Sequence, residues 1–280
     1  MPAYDVHQHL WPEALIEALR ARRERPRLRG GSLELTSGDW AVDLATHELG
    51  ARLALLDRDE IDVAVISLAP TLELDEDLIE IYHQGIQELV AAAGGRLQAL
   101  SCGTAREGFV GACVAAEALA DLDELTPLLV ELGRLHSVLF VHPGPAPAPD
   151  GAPAWWPAVV GYTAQMQAAY AAWVAQGSEA WPQLNVVFAI LAGGAPFQLE
   201  RLASRGVDSR GVLEANIYLD TASYGDRALE LSLATYGVGR LVYGSDVSVI
   251  DSDATLQSVR GFGQAVADAV CRDNPGRLFG

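Results

Sequence analysis

Apolar residues along this chain recur with two periods, and their alternation predicts eight strands separated by helices. Tyr4 to His9 is a short strand-like run, and Glu13 to Glu24 reads as a helix with Leu15, Ile16 and Leu19 at helical spacing and Pro12 near its start. From Asp43 to about Arg58 the pattern is helical, and Ile61 to Leu68 follows as an apolar, β-branched second strand. Leu78, Tyr82, Ile86 and Leu89 mark the next helix, Leu97 to Cys102 the third strand and Phe109 to Val114 the fourth. Leu125, Leu128, Leu132 and Leu135 give another amphipathic helix before Val138 to Val141, a fifth strand that ends at His142. Met166, Tyr170 and Trp173 line a helix, Val186 to Leu191 forms strand six and Ile217 to Leu219 strand seven. A helix over roughly Asp226 to Thr235 leads to strand eight, Leu241 to Tyr243, and a last helix from about Leu256 to Cys271 has Asn274-Pro275 as its stop signal. Strands alternating with helices predict an α/β fold, a (β/α)8 TIM barrel occupying residues 1–280 as a single domain, with chemistry where strands end and βα loops begin.

Two connections depart from that regular pattern. Gly30 to Trp40 looks irregular or hairpin-like and makes the first β/α excursion long, as active-site covers often are. Pro143 to Pro157, after strand five, is rich in Pro, Ala and Gly and is expected to lie as a lid or flap beside the strand end. Its Trp155-Trp156 pair either fills the core beneath or walls a substrate site.

Composition narrows the chemistry. Half of the 280 residues are hydrophobic, enough for a large core, yet no apolar run approaches a membrane span. With no basic stretch leading into an apolar segment at the N-terminus, a cytoplasmic protein is expected. A formal net charge of −18 argues against nucleic-acid binding, which needs a cationic surface. Arg20, Arg22, Arg23, Arg25, Arg27 and Arg29 form one basic island, read as a solvated face paired with local acids. The three cysteines are few, odd in number and without Cys-x-x-Cys spacing, which argues against both a disulfide framework and a thiolate zinc site. All nineteen basic residues are Arg, so Schiff-base lysine chemistry and a two-metal site bridged by carboxylated lysine are excluded.

The remaining candidate chemistry gathers at strand ends. His7 and His9, two apart on one strand, project to the same side and can grip one ion. His142 ends strand five, and Asp246 follows strand eight in Tyr243-Gly244-Ser245-Asp246. Three neutral imidazoles and a carboxylate can hold one divalent metal ion with a position left open; zinc is the expected occupant among the first-row ions the set suits.

These motifs, with Leu56-Asp57, Ile61-Asp62-Val63-Ala64-Val65, Val141-His142-Pro143 and Asn274-Pro275-Gly276-Arg277-Leu278, resemble the amidohydrolase superfamily. Within it the resemblance is to the amidohydrolase-related branch that contains aminocarboxymuconate semialdehyde decarboxylase. It implies the barrel again, His7, His9 and His142 as metal ligands, and Asp246 as a ligand that also shuttles a proton. It implies that Arg52 contacts a substrate carboxylate, and it suggests a homodimer. Two positions depart. Ile190 stands where the family has a histidine that orients or deprotonates the metal-bound water, and Val247-Ser248 replaces an aromatic-proline pair. Isoleucine can neither hydrogen-bond nor accept a proton. Of the remaining histidines, His83 and His136 are expected to pack on helices, and His47 is the best substitute if its segment folds over the barrel mouth. Asp220, just after strand seven, is expected to be a hydrogen-bonded structural acid.

The leading expectation is a mononuclear hydrolase of a small ester, lactone or amide, with Asp246 as catalytic base for metal-activated water. One alternative is nonoxidative decarboxylation of a small unsaturated or aromatic acid, with Arg52, Trp155 and Trp156 on the substrate. The other is a noncatalytic binding barrel, metal-loaded or metal-free.

Overall fold

The computed structural model describes residues 1–280 and places eight parallel strands in chain order around one axis. They are β1 (Tyr4–His9), β2 (Val63–Ser67), β3 (Leu97–Cys102), β4 (Gly111–Ala115), β5 (Val138–His142), β6 (Val186–Phe188), β7 (Ile217–Asp220) and β8 (Leu241–Val242). The first and last strands meet: Val6 N donates to Tyr243 O at 2.9 Å and Asp246 N to His7 O at 2.8 Å. This is the (β/α)8 barrel expected from the sequence. Strands such as Val138–His142 are buried at every position, as parallel strands covered on both faces must be. Helices between the strands cover the sheet; Glu13–Ala21, for example, turns Leu15, Ile16 and Leu19 inward. No helix is long and apolar enough to cross a membrane.

Register at β1 shapes the site. Tyr4 and Asp5 pair with Val63 and Ala64, whereas Gln8 and His9 pair with Ile66 and Ser67, so Val6 and His7 together oppose one residue of β2. Such a bulge bends the strand and re-aims its side chains. The long first excursion contains a three-stranded antiparallel sheet, Arg27–Arg29, Ser32–Glu34 and Asp39–Ala41, where the sequence suggested only a hairpin. Two arginines of the basic island pair with local acids there, Arg27 with Glu34 at 2.7 Å and Arg25 with Asp39 at 2.9 Å.

Several boundaries differ from the sequence reading, among them the last helix, which breaks at Phe262-Gly263 between Asp253–Gly261 and Gln264–Asp268; three others have a clear local reason. The helix expected from Asp43 splits at Glu48 into a short 3-10 turn, Leu44–His47, and a helix, Leu49–Asp59. Strand six ends at Phe188 rather than Leu191, because the backbone turns left-handed from Ile190 to Gly194 with φ of 46°, 50°, 51°, 64° and 99°. Asn274-Pro275 opens a helical turn, Asn274–Phe279, instead of stopping one, since proline suits a first helical turn. Asn274 Nδ2 donates to the carbonyls of Val238 and Leu241, both at 2.7 Å, and ties this last turn beneath β8.

Candidate metal centre

At the C-terminal end of the barrel the side chains of His7, His9, His142 and Asp246 converge, each offering one ligand atom within 4.8 Å of all the others. His7 Nε2 lies 3.3 Å from His9 Nε2 and 3.6 Å from Asp246 Oδ1, and His9 Nε2 lies 3.2 Å from the same oxygen. A tetrahedron of ligands about 2.0–2.1 Å from its centre has edges of about 3.3–3.4 Å, so these spacings suit one ion. The fold supplies them from three strand ends. Asp246 is held by its own backbone in the left-handed region, φ 65°, which aspartate tolerates better than most residues.

The ring orientations test the fit independently. His7 Nδ1 donates to Asp220 Oδ2 at 2.7 Å, His9 Nδ1 to the Ser67 carbonyl at 2.9 Å, and His142 Nδ1 to the Pro143 carbonyl at 2.8 Å. Each Nδ1 therefore keeps the ring hydrogen, and all three Nε2 lone pairs face one another beside a carboxylate. Four electron-pair donors without a hydrogen among them could hold a cation at their centre, as in metal sites whose outer partners fix the tautomer. Without an ion a proton takes that part: burial opposes it, but Asp220, Asp246 and Asp5 raise His7 to about 9. His142, buried and facing His7 and His9, is driven well below the ordinary range. Burial works against the Asp246 carboxylate, yet the His9 hydrogen bond and the three imidazoles keep its pKa low. An entering cation displaces the shared proton, so ion and proton compete for the site.

Asp220 is thus the structural acid expected, and its role is specific. Beyond His7 it accepts from Ile190 N and Ala222 N, both at 2.9 Å, so one carboxylate positions a ligand and the turn bearing Ile190. His83 is buried with Nε2 accepting from Cys102 N, and His136 caps a helix at φ 52°; neither approaches the cluster.

Above the cluster lies a cavity of about 310 Å³, walled by Trp11, Leu33, Leu35, Trp40, Leu72 and Tyr162 and reaching His9 at its floor. It lies at the small end of the usual 300–1,000 Å³ for ligand sites, and suits a single-ring compound rather than a polymer. Part of its wall, Pro145 and Ala146, comes from the proline-rich loop. Gln165 ties down the root of that loop, accepting from Gly144 N at 3.0 Å and donating to Pro145 O at 2.8 Å.

Not every expected substrate residue is found here. Trp155 and Trp156 stack on each other with centroids 5.9 Å apart; Trp155 is 56% exposed, and neither lines the cavity. Arg52 is buried behind β1, donating to Gln8 Oε1 and the His9 carbonyl, both at 2.8 Å, and to the Thr46 carbonyl at 3.2 Å. Its guanidinium is committed to the scaffold and does not reach the cavity. His47 does line the cavity, as does Tyr162, which the sequence did not single out. Burial and the Asp246 charge push the Tyr162 phenol up to about 12, so it stays protonated.

Solved structures share this architecture almost end to end. IDCase from Metarhizium anisopliae in apo form superposes with a TM-score of 0.81 at 21% identity, covering 99% of this chain and 97% of that one. The 5-carboxyvanillate decarboxylase of Sphingomonas paucimobilis gives 0.76 at 17% identity over 99% and 98%. That of Novosphingobium aromaticivorans, complexed with manganese and 4-hydroxy-3-methoxy-5-nitrobenzoic acid, gives 0.74 at 16% identity over 99% and 96%. No curated protein matches the sequence. The sequence model described as amidohydrolase matches residues 4–280, a span holding the four converging ligands and the strands that carry them. The chain belongs to the amidohydrolase family.

Proposed function

We propose that this protein is a metal-dependent nonoxidative decarboxylase of a small aromatic or unsaturated carboxylic acid. The observation that carries this reading is a largely apolar, ring-sized cavity that reaches His9 of a cluster able to hold one metal ion. Hydrolysis, the leading expectation from sequence, would leave Asp246 to serve as both ligand and base for water, because isoleucine occupies the position where the resemblance implies a separate histidine base. Decarboxylation needs no activated water. The compared enzymes, two of them named for an aromatic acid, support the same choice. The three-imidazole set supports zinc as the ion, and the manganese in one compared structure puts both ions in the assay.

His7, His9, His142 and Asp246 would hold a divalent ion, which would supply positive charge for a substrate carboxylate and for negative charge developing beside it. The chain supplies orientation and the proton. Trp11, Leu33 and Leu72 hold the ring and exclude water. Asp246 takes a proton from a substrate hydroxyl or from solvent and delivers it to the carbon that loses carbon dioxide. The carbon–carboxylate bond breaks, its electron pair stays on that carbon, and a carbon–hydrogen bond replaces it. Metal-loaded protein is expected to release carbon dioxide from single-ring hydroxyacids and, in heavy water, to leave one deuterium at the vacated carbon. Hydrolysis of lactones or esters with no carbon dioxide from any acid would reject the proposal.

Position 190 gives a second check. Ile190 sits at φ 46°, strained for a β-branched residue and a region where histidine is several-fold enriched. Ile190→His is expected to leave the melting temperature within about 3 °C, since relieved strain of about 1 kcal/mol offsets lost apolar burial. It adds a base to the turn that Asp220 holds, and activated-ester hydrolysis is expected to rise at least tenfold in the roughly 10²- to 10⁴-fold range of a positioned base. An unchanged esterase rate would show that position 190 does not serve the site.

A further inference from the structure

His47 stands where the two ligand-bearing loops meet at the cavity. Its ring stacks on Trp11, two residues beyond His9, with centroids 4.4 Å apart and planes 14° from parallel. Its Nδ1 accepts the Trp11 backbone N–H at 3.1 Å. Its Nε2 faces Ser248, two residues beyond Asp246, at a long 3.4 Å. Because Nδ1 is an acceptor, the hydrogen of the neutral ring is on Nε2. Burial, helped by the charges of Arg52 and His9, lowers the pKa of His47 to about 3, which agrees with a neutral ring. The result is a fixed N–H donor, weakly used, in an apolar wall. A second neutral donor, the Tyr162 hydroxyl, lines the same cavity. No arginine does: Asp43 is the only acidic side chain in the wall, and the nearby Arg52 is spent on β1.

We propose that His47 is a specificity-determining residue whose Nε2–H, with Ser248 beside it, binds a neutral acceptor oxygen on the substrate ring, so that the site selects monocarboxylic acids bearing such an oxygen over dicarboxylic acids. The inference rests on the decarboxylase reading, in which the single carboxylate goes to the metal. A second carboxylate would enter an apolar wall that holds no cation to pair with it, which is costly. A methoxy, nitro or carbonyl oxygen meets a donor already oriented for it.

Equilibrium binding by calorimetry tests this apart from turnover. The probes are benzoate, its 3- and 4-methoxy and 3- and 4-nitro derivatives, and isophthalate and terephthalate, titrated into metal-loaded wild type, His47→Phe and His47→Gln. In wild type at least one oxygen-bearing monoacid is expected to bind about tenfold more tightly than benzoate, the worth of one buried neutral hydrogen bond, and the diacids more weakly than benzoate. His47→Phe keeps the stacking surface and is expected to abolish that advantage, read as the ratio of each monoacid's affinity to that of benzoate in the same metal-loaded variant. His47→Gln, which returns an N–H near the Nε2 position, is expected to restore part of it. An advantage that survives in His47→Phe, or diacids that bind best, overturns the subsite alone. No binding of any acid to wild type overturns the decarboxylase reading and the subsite together.

Discussion

Arg52→Ala is expected to destabilise the fold by about 3–5 kcal/mol, the range for removing one side of a buried charged network. Arg52 donates to Gln8 Oε1 at 2.8 Å, Gln8 Nε2 donates to Asp5 Oδ2 at 2.7 Å, and Asp5 Oδ1 accepts from Ser245 N at 3.0 Å. The guanidinium also takes the His9 carbonyl, so one side chain braces β1 and, through Asp5, the loop that presents Asp246. Burial lowers its pKa to about 10 and Asp5 works against that loss, which leaves Arg52 charged at neutral pH. Removing it leaves Gln8 Oε1 and the His9 and Thr46 carbonyls without their donor and takes the neighbouring positive charge from buried Asp5. At about 2–4 °C per kcal/mol for a chain of this size, the melting temperature should fall by about 10 °C. A residue that only anchored substrate would behave differently, raising KM and leaving the melting temperature where it was; differential scanning calorimetry together with kinetics separates the two.

Gly244→Ala is expected to weaken metal binding by about 10- to 100-fold while leaving the barrel folded. A Cβ at residue 244 would lie 2.8 Å from His7 Cβ and 3.1 Å from Asp220 Cγ, closer than carbon atoms approach without displacement. His7 cannot retreat cheaply, because its ring is held by Asp220 and its carbonyl accepts from Asp246 N. The methyl group pushes apart the ligand and the carboxylate that orients it. Overpacking costs about 1–3 kcal/mol of stability, and disturbing an outer partner of a ligand typically costs about 10- to 100-fold in metal affinity. The measurement is an equilibrium metal titration against a competing chelator. Wild-type affinity in the variant would mean that His7 is not a ligand.

Most of the architecture could be read from the sequence because parallel strands, buried on both faces, write themselves as short apolar runs. Val138–His142 and Val63–Ser67 are such runs, and the convergence of His7, His9, His142 and Asp246 follows from them, since a barrel puts chemistry at strand ends. Strand six misled because Ile190-Leu191-Ala192 continues an apolar run that only Gly193-Gly194 interrupts. Its turn is set by tertiary contact, the Asp220 carboxylate holding Ile190 N, which has no local signature. Arg52 misled for a similar reason: one sequence position cannot show whether a guanidinium faces a cavity or the back of a strand. Tyr162 lies one turn before the Met166-Tyr170-Trp173 stripe, and an aromatic at helical spacing reads as core rather than as the wall of a cavity. His47 was named only conditionally, because its place depends on the break at Glu48 and the Trp11 N–H that pins its ring.

The most direct test is metal content per chain, measured by elemental analysis on protein purified without added metal or chelator, in wild type and in His142→Ala. The account predicts close to one divalent ion per chain in wild type and almost none in the variant, because three imidazole lone pairs and the Asp246 carboxylate share one centre. Wild type that holds no ion even after supplementation with zinc or manganese would contradict it.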